Sequence, residues 1–309
     1  MQQLLTVVRA RRGFTMVELL VAMVLLGLVS AALYRVLVNN QRLYMAQTQR
    51  IDLSQNIRAA ANILPAEFRQ LDAGDNPGDI VSMASDSITI RAPRWVTFVC
   101  VAPVLNGVAA GRSMTVRGMA PGQAMFFGSR AAAVGQDSMY VYNDGDQTSR
   151  LDDYYVPAKL TSIAAQVPGT CGGAPAQPGT VVTWDGNFFG GNNVASAITV
   201  GAPVWGYERV TYKLFRPAGD TSYYIGYRPD QPAGTTMQPI VGPVLSNGLT
   251  FQYFDSTGAP TAIRTRVARI DITVRARTNI AVRSGGTAPA RTIVDSIVTS
   301  VALRNNRRW

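Results

Sequence analysis

The sequence contains no histidine among its 309 residues and only two cysteines, Cys100 and Cys171. Without histidine the chain cannot build a Ser-His-Asp triad, a Cys-His pair, or a zinc or haem site with a histidine ligand. Two cysteines are too few for a zinc site made of cysteine alone. We therefore expect a structural or binding protein and not an enzyme, with no cofactor and no small-molecule substrate.

Lysine is almost absent as well, because the cations of the chain are nearly all arginine and the only lysines are Lys159 and Lys213. The formal net charge is +10. A basic excess of this size has two interpretations that the sequence leaves open. It can mark an anionic partner such as DNA or lipid headgroups, or it can be a solvated basic surface.

The longest apolar run covers residues 14–34 and contains one charged side chain, Glu18. As a helix, 21 residues would extend about 32 Å, which is enough to cross a bilayer core. Three arginines precede the run (Arg9, Arg11 and Arg12), and this favours a cytoplasmic N-terminus with an exported remainder. The run is longer than the apolar part of a secretory signal and continues into a polar helix. We expect residues 14–38 to be a retained transmembrane segment.

The helix is predicted to continue to residue 72, because apolar residues recur every three or four positions beyond the membrane. Pro65 should kink or break it, and the turn at residues 74–78 should end it. The residues on the opposite side of this predicted helix are polar. The predicted apolar stripe consists of Leu53, Ile57, Ala60, Leu64, Phe68 and Leu71.

Residues 11–18, Arg-Arg-Gly-Phe-Thr-Met-Val-Glu, followed by the apolar run, closely resemble the class III signal of type IV pilins and type II secretion pseudopilins. The resemblance implies that a prepilin peptidase removes residues 1–13 by cutting after Gly13 and methylates the new N-terminal Phe14. It also implies that Glu18 pairs with the N-terminal amine of a neighbouring subunit.

Physical chemistry supports a partner for Glu18. A lone carboxylate in lipid either takes up a proton or raises the free energy of membrane insertion by a few kcal/mol. Cleavage would create an amine at Phe14, one helical turn away. The amine of Phe14 in the same chain and the amine of the next subunit are both possible partners. A third interpretation is that the carboxylate extends to the membrane interface without a specific partner.

From about residue 80 the pattern changes to alternation with a period of two, which predicts a mainly antiparallel sheet. The fold class is therefore α+β: a long N-terminal helix, first transmembrane and then amphipathic, packed on the sheet of a pilin-like domain at residues 73–309. Residues 101–205 are rich in Gly, Ala and Pro and are interpreted as an irregular insertion. Cys100 and Cys171 bracket much of it, and they are either two buried thiols or one disulfide.

Two weaker candidate sites come from side-chain chemistry. Asp144 and Asp146 have oxygen ligands at a spacing that calcium loops use, although a polar turn explains them as well. A group of tyrosines with an arginine could stack nucleic-acid bases or sugars, or could fill a core. That group contains Tyr140, Tyr142, Tyr154, Tyr155 and Arg150.

The order of the predicted strands, from the TYKLF hairpin to the C-terminal TSVALRN strand, is similar to PilW-type minor pilins and to the related J pseudopilins. The hypothesis is a minor pilin that primes a type IV pilus and lies at or near its tip. Other minor pilins, the major pilin, the prepilin peptidase and the inner membrane would be its partners, with the exported domain periplasmic before assembly and extracellular after it. The alternatives are a J-type pseudopilin and a tip-displayed adhesin or DNA-binding module.

Overall fold

The computed structural model describes residues 13–73, 78–104, 112–144, 148, 154–172, 176–184, 198–283 and 289–303. One helix, α1 (Met16–Phe68), precedes a series of strands. The strands are β1 (Ile80–Met83), β2 (Ser87–Val104), β3 (Arg112–Val116), β4 (Phe127–Gly128), β5 (Asp137–Asn143), β6 (Tyr154–Ile163), β7 (Val167–Cys171), β8 (Gln177–Trp184), β9 (Pro203–Phe215), β10 (Tyr223–Pro229), β11 (Gln238–Phe254), β12 (Arg269–Arg277) and β13 (Val294–Ala302). This confirms the α+β fold class.

The chain divides into two compact units. The first contains helix α1 as far as Asp52 together with the segment Thr278–Ile293. Within this unit the Gln49 side-chain oxygen accepts hydrogen bonds from the backbone N–H groups of Asn279 and Ile280, at 3.1 and 3.3 Å. The second unit contains the rest of the helix and all thirteen strands.

In the second unit the predicted apolar stripe of α1 is buried against the sheet, as the sequence periodicity indicates. The ring of Phe68 contacts the rings of Tyr212 and Phe251, with centroids 5.8 and 5.9 Å apart. The helix passes through Pro65 and ends at Phe68, four residues before the expected end. Pro65 lies in the last turn, so only three helical residues follow it whose path a kink could change.

The sheet under the helix has the order β1-β2-β9-β10-β11-β12-β13, with every neighbouring pair antiparallel. Strands β2 and β9 are longer than the sheet needs. Their distal halves leave it and join four further strands in a closed ring with the order β2-β3-β8-β6-β5-β9. The ring is a six-stranded antiparallel barrel filled by its own core, which includes Trp95, Met139, Leu160, Val182 and Val204.

We expected residues 101–205 to form an irregular insertion. They instead contain strands β3 to β8, which belong to or flank the barrel. Their partners are distant in sequence: β3 pairs with β8, and β9 closes the ring by pairing with β2. Proline and glycine also lie inside the strands, as Pro178 and Gly179 do in β8. Proline and glycine are uncommon inside strands, so these residues made the region look irregular in sequence.

A β-bulge at Arg94 marks the point where β2 changes from sheet to barrel. Pro93 pairs with Tyr207 and Trp95 pairs with Gly206, so Arg94 has no partner of its own on β9. The extra residue shifts the register by one and directs Trp95 into the barrel interior. Gly206 is required beneath it, because a Cβ atom at that position would lie 1.8 Å from the Trp95 ring.

The bulged Arg94 joins the helix, the sheet and the barrel through a partly buried set of charges. Its guanidinium contacts Glu67 of α1 at 3.0 Å and Glu208 of β9 at 2.9 Å. Burial by itself would lower the pKa of Arg94, but these two carboxylates outweigh it and raise the pKa well above the ordinary value. Glu208 is only 3% exposed, and it also accepts a hydrogen bond from Gln136 and lies 3.6 Å from Arg130.

The network continues into the barrel through Asp137 of β5. Arg130 holds both oxygens of this carboxylate, at 2.8 and 2.6 Å, and the hydrogen bond to Asp137 raises the pKa of Arg130. The indole N–H of Trp95 donates to the same carboxylate at 3.0 Å. The bulge, the barrel core and the ion pairs therefore form one connected structure.

Replacing Arg94 with methionine should destabilise the protein by about 3–5 kcal/mol, because it leaves a buried carboxylate without its main cation. Thermal unfolding in nonionic detergent, followed by circular dichroism, measures the loss. Glu67→Gln is the matched control and should cost much less, since Arg94 keeps Glu208 as its carboxylate partner. Equal stability of Arg94→Met and the wild type would contradict this account.

Candidate assembly site

The N-terminus of α1 is closed by a capping box formed by Thr15 and Glu18. Thr15 precedes the first helical residue, and its hydroxyl oxygen accepts a hydrogen bond from the Glu18 backbone N–H at 3.3 Å. In return, one carboxylate oxygen of Glu18, Oε2, accepts from the Thr15 backbone N–H at 3.0 Å and from its hydroxyl at 3.2 Å. Such a box satisfies helix N–H groups that lack an intrahelical partner.

The capping box gives Glu18 a role that the sequence prediction did not include. The Thr-x-x-Glu spacing at residues 15–18 is the ordinary sequence signature of such a box. Glu18 is thus held at a fixed position by the helix terminus itself. Its second oxygen, Oε1, accepts no hydrogen bond from the residues that the structure describes. The site consequently offers one carboxylate oxygen at the N-terminus of α1 that the helix cap does not use.

The helix that carries this site is exposed along its first turns. Phe14 is 87% exposed, and the side chains that follow as far as Leu37 are exposed too. Within the described part of the chain, α1 is the one helix long and apolar enough to cross a membrane. An apolar surface of this length needs lipid or other helices around it.

Comparison with known proteins adds one match. The family model described as the prokaryotic N-terminal methylation motif matches residues 8–34, which include Gly13, Phe14 and Glu18. The motif indicates a type IV pilin-like or pseudopilin-like protein. No curated protein and no solved structure matches the chain.

The motif implies interaction with other pilins and processing by a prepilin peptidase, and it suggests a structural role. The motif and the apolar helix together are consistent with anchoring in a membrane. The match ends at residue 34, so it covers the first part of helix α1 and none of the β domain.

A disulfide joins Cys100 and Cys171, whose Cα atoms are 5.2 Å apart. The sequence alone left open whether these residues are two thiols or one disulfide. Cys100 lies on β2 and Cys171 on β7, so the bond connects the long shared strand to the strand paired with β8. Both residues are buried. Gly179 of β8 leaves room for the bond, because a Cβ atom there would lie 2.6 Å from the Cys171 sulfur.

The double substitution of Cys100 and Cys171 by serine should lower the free energy of unfolding by about 4 kcal/mol on the loop-entropy model, since the bond closes a loop of about 70 residues. Denaturant unfolding of the oxidised, reduced and substituted proteins checks this. The wild type under reducing conditions should match the serine variant. If oxidised and serine proteins unfold at the same denaturant concentration, the bond has no stabilising role.

The other candidate sites differ from expectation or lie partly outside the described residues. Asp144 is described, but Asp146 is not, so the calcium loop remains a prediction. Among the described residues there is no group of three or more His, Cys, Asp or Glu side chains that could hold a metal ion.

The tyrosine group is mainly structural where it is described. Tyr140 is 8% exposed and stacks on Tyr207, with centroids 4.4 Å apart. Burial raises the pKa of both hydroxyls. Tyr155 contacts Tyr140 and Tyr142 edge-on. The buried Tyr140 ring cannot stack a base, while Arg150 and the Tyr154 side chain lie outside the described residues.

Proposed function

We propose that this chain is a minor pilin that primes the assembly of a type IV pilus and lies at or near its tip. The observation that carries the proposal is the methylation motif placed directly before an exposed apolar helix whose third residue is Glu18. The order of the strands, similar to PilW-type minor pilins, supports the same assignment. The globular domain would be periplasmic before assembly and would leave with the pilus.

The proposed mechanism uses the two oxygens of Glu18 differently. Cleavage after Gly13 gives Phe14 a positive amine one residue before Thr15. Oε2 stays in the capping box, and Oε1 receives the amine of a neighbouring subunit that is shifted along the bundle axis. A subunit in the wrong axial position would leave a charge in an apolar environment without its partner, and this penalty sets the register of assembly.

The identity of the mature N-terminus tests the processing step. Mass spectrometry of the protein extracted from membranes should identify methylated Phe14 as its first residue. The Gly13→Leu variant should retain the first thirteen residues, because the motif places the cut after a glycine at this position. An intact N-terminus in the wild type, or cleavage after the apolar run, would exclude a pilin.

Glu18→Gln separates the charge of this side chain from its capping role. Glutamine also completes a capping box, so the helix terminus should stay closed while the anion is lost. We expect Glu18→Gln to abolish incorporation into sheared filaments, measured by immunoblot, with normal levels in the membrane.

Thr15→Ala is the matched control, because it removes the cap but keeps the carboxylate. It should destabilise the helix terminus by about 1 kcal/mol and still be incorporated. If Glu18→Gln is incorporated as well as the wild type, or if Thr15→Ala fails to the same extent, Glu18 acts as a cap and not as a pairing charge.

A J-type pseudopilin of a type II secretion system is the second candidate, because the same motif and the same strand order fit it. A chromosomal deletion distinguishes the two. Loss of surface pili with normal enzyme secretion supports the pilin, and retained pili with blocked secretion support the pseudopilin.

A further inference from the structure

The open sheet ends in two edge strands, β1 and β13, which differ in how they are protected. Strand β1 has four residues and a bulge between Ile80 and Ser82, and the guanidinium of Arg264 donates a hydrogen bond to the carbonyl oxygen of Val81. Short length, bulges and charged side chains are the usual protections of a sheet edge. Strand β13 pairs with β12 through nine consecutive residues without a bulge, and it contains no proline, lysine or arginine.

The backbone of β13 uses every second residue to pair with β12. At one end of the ladder the N–H of Leu303 donates to the carbonyl oxygen of Ala268, and at the other end the N–H of Thr278 donates to that of Ile293, both at 2.9 Å. Hydrogen-bonded and non-hydrogen-bonded pairs alternate along an antiparallel ladder. The alternate residues of β13 therefore direct their N–H and C=O groups to the open edge. They are Val294, Ser296, Val298, Ser300 and Ala302.

The second half of this edge has no covering strand in the part of the chain that the structure describes. Val298 is 64% exposed, and Ser300 and Ala302 are exposed as well. In the first half, the N–H of Ser296 donates to a carboxylate oxygen of Asp295 at 2.8 Å. A strand added at this edge would satisfy the open backbone groups and would displace the Asp295 carboxylate.

On the helix side of the sheet, the apolar core is open at this edge. Ile272 of β12 pairs with both Phe251 and Thr299, so Thr299 lies on the side where Phe251 contacts the helix. Val301 on the same side is buried, while Ile297 and Thr299 are only half-buried. Apolar side chains from an added strand would complete this layer, because cross-strand neighbours pack against each other.

On the side away from the helix, the sheet is basic beside the edge. Arg269, Arg275 and Arg277 occupy alternate positions of β12 there. Arg269 pairs with Asp271 at 3.2 Å, whereas Arg275 is exposed and has no ion-pair partner among the described residues. Arg275 lies opposite Ser296 of β13, whose side chain is small. An acidic side chain on an added strand can therefore extend over Ser296 to the Arg275 guanidinium.

We propose that β13 receives an antiparallel strand from a partner protein, and that this strand alternates apolar and acidic residues. Its backbone pairs with Val298, Ser300 and Ala302, as in other cases of strand addition to an exposed sheet edge. Its apolar residues cover Ile297, and its acidic residues face the arginines of β12.

A second copy of this chain fits the edge less well. On the basic side β13 presents only valine, serine and alanine, so a second β13 would add no acid to pair with Arg275. The site is separate from helix α1 and from the proposed pairing of Glu18, so the inference goes beyond the proposed function.

The probe is a fluorescein-labelled peptide of nine residues in which valine alternates with glutamate. Its binding to the full chain in nonionic detergent is measured by fluorescence anisotropy. In an antiparallel pair with glutamates on the basic side, the glutamate N–H groups donate to β13 and the valine N–H groups point away. N-methylation of the glutamates should therefore abolish binding, and N-methylation of the valines should leave it intact.

Val298→Pro tests the edge from the side of the protein. It removes an N–H group that does not pair with β12, and proline is tolerated on an edge strand at such a position. Binding of the peptide should weaken about tenfold through the lost hydrogen bond, with unchanged thermal unfolding. Val298→Thr is the matched control, because it keeps the N–H group and should bind like the wild type. Ser300→Pro removes the next edge donor and should repeat the loss.

Arg275→Gln tests the choice of an acidic partner. It should weaken binding of the glutamate peptide about two- to fivefold, as expected for an exposed ion pair. A peptide in which valine alternates with threonine should bind the variant and the wild type equally.

Four results would overturn the proposal. They are no binding of the peptide by the wild type, equal effects of the two N-methylations or the reverse of the expected order, equal binding by Val298→Pro and Val298→Thr, and a dimer of the chain that Val298→Pro dissociates. Filament incorporation is not measured in these assays, so their failure would leave the proposed assembly role untouched.

Discussion

The bulge at Arg94 is the constraint on which the β domain depends. One extra residue in β2 moves Trp95 into the barrel and places a guanidinium between Glu67 of the helix and Glu208 of β9. Without that shift, the side chains of β2 beyond the bulge would exchange faces, and its core residues would point to solvent. The ion pairs hold the bulge, and the bulge gives the ion pairs their geometry.

The barrel also resolves a problem of sheet edges. A strand with an unpaired side is a template for unwanted association, and closing a ring removes both edges. Here six strands close on themselves while β2 and β9 continue into the open sheet, so one pair of strands supports both parts. The disulfide between Cys100 and Cys171 reinforces the barrel near the shared strand. A pilin-like helix and sheet can therefore carry a second body of structure without a separate domain linker.

At the other end of the helix, one carboxylate is suited to two tasks. The capping box fixes Glu18 at the helix terminus in the single chain, and its second oxygen remains for a partner. A side chain already held by a cap loses less conformational entropy when it pairs. Under the proposed mechanism, this preorganisation would lower the entropic cost of pairing Glu18 with the amine of a neighbouring subunit.

The sequence by itself determined the helix, its buried stripe, the motif at residues 8–34 and the α+β class, because these depend on periodicity and on short local spacing. It did not determine the barrel, the bulge or the burial of Tyr140, because each depends on strands far apart in the chain. The single residue that shifts β2 carries no local signal, since an arginine in a strand normally indicates a solvated face. Only tertiary pairing decides that Arg94 turns inward to two carboxylates, and that the remaining cations of the sheet collect on the face opposite the helix.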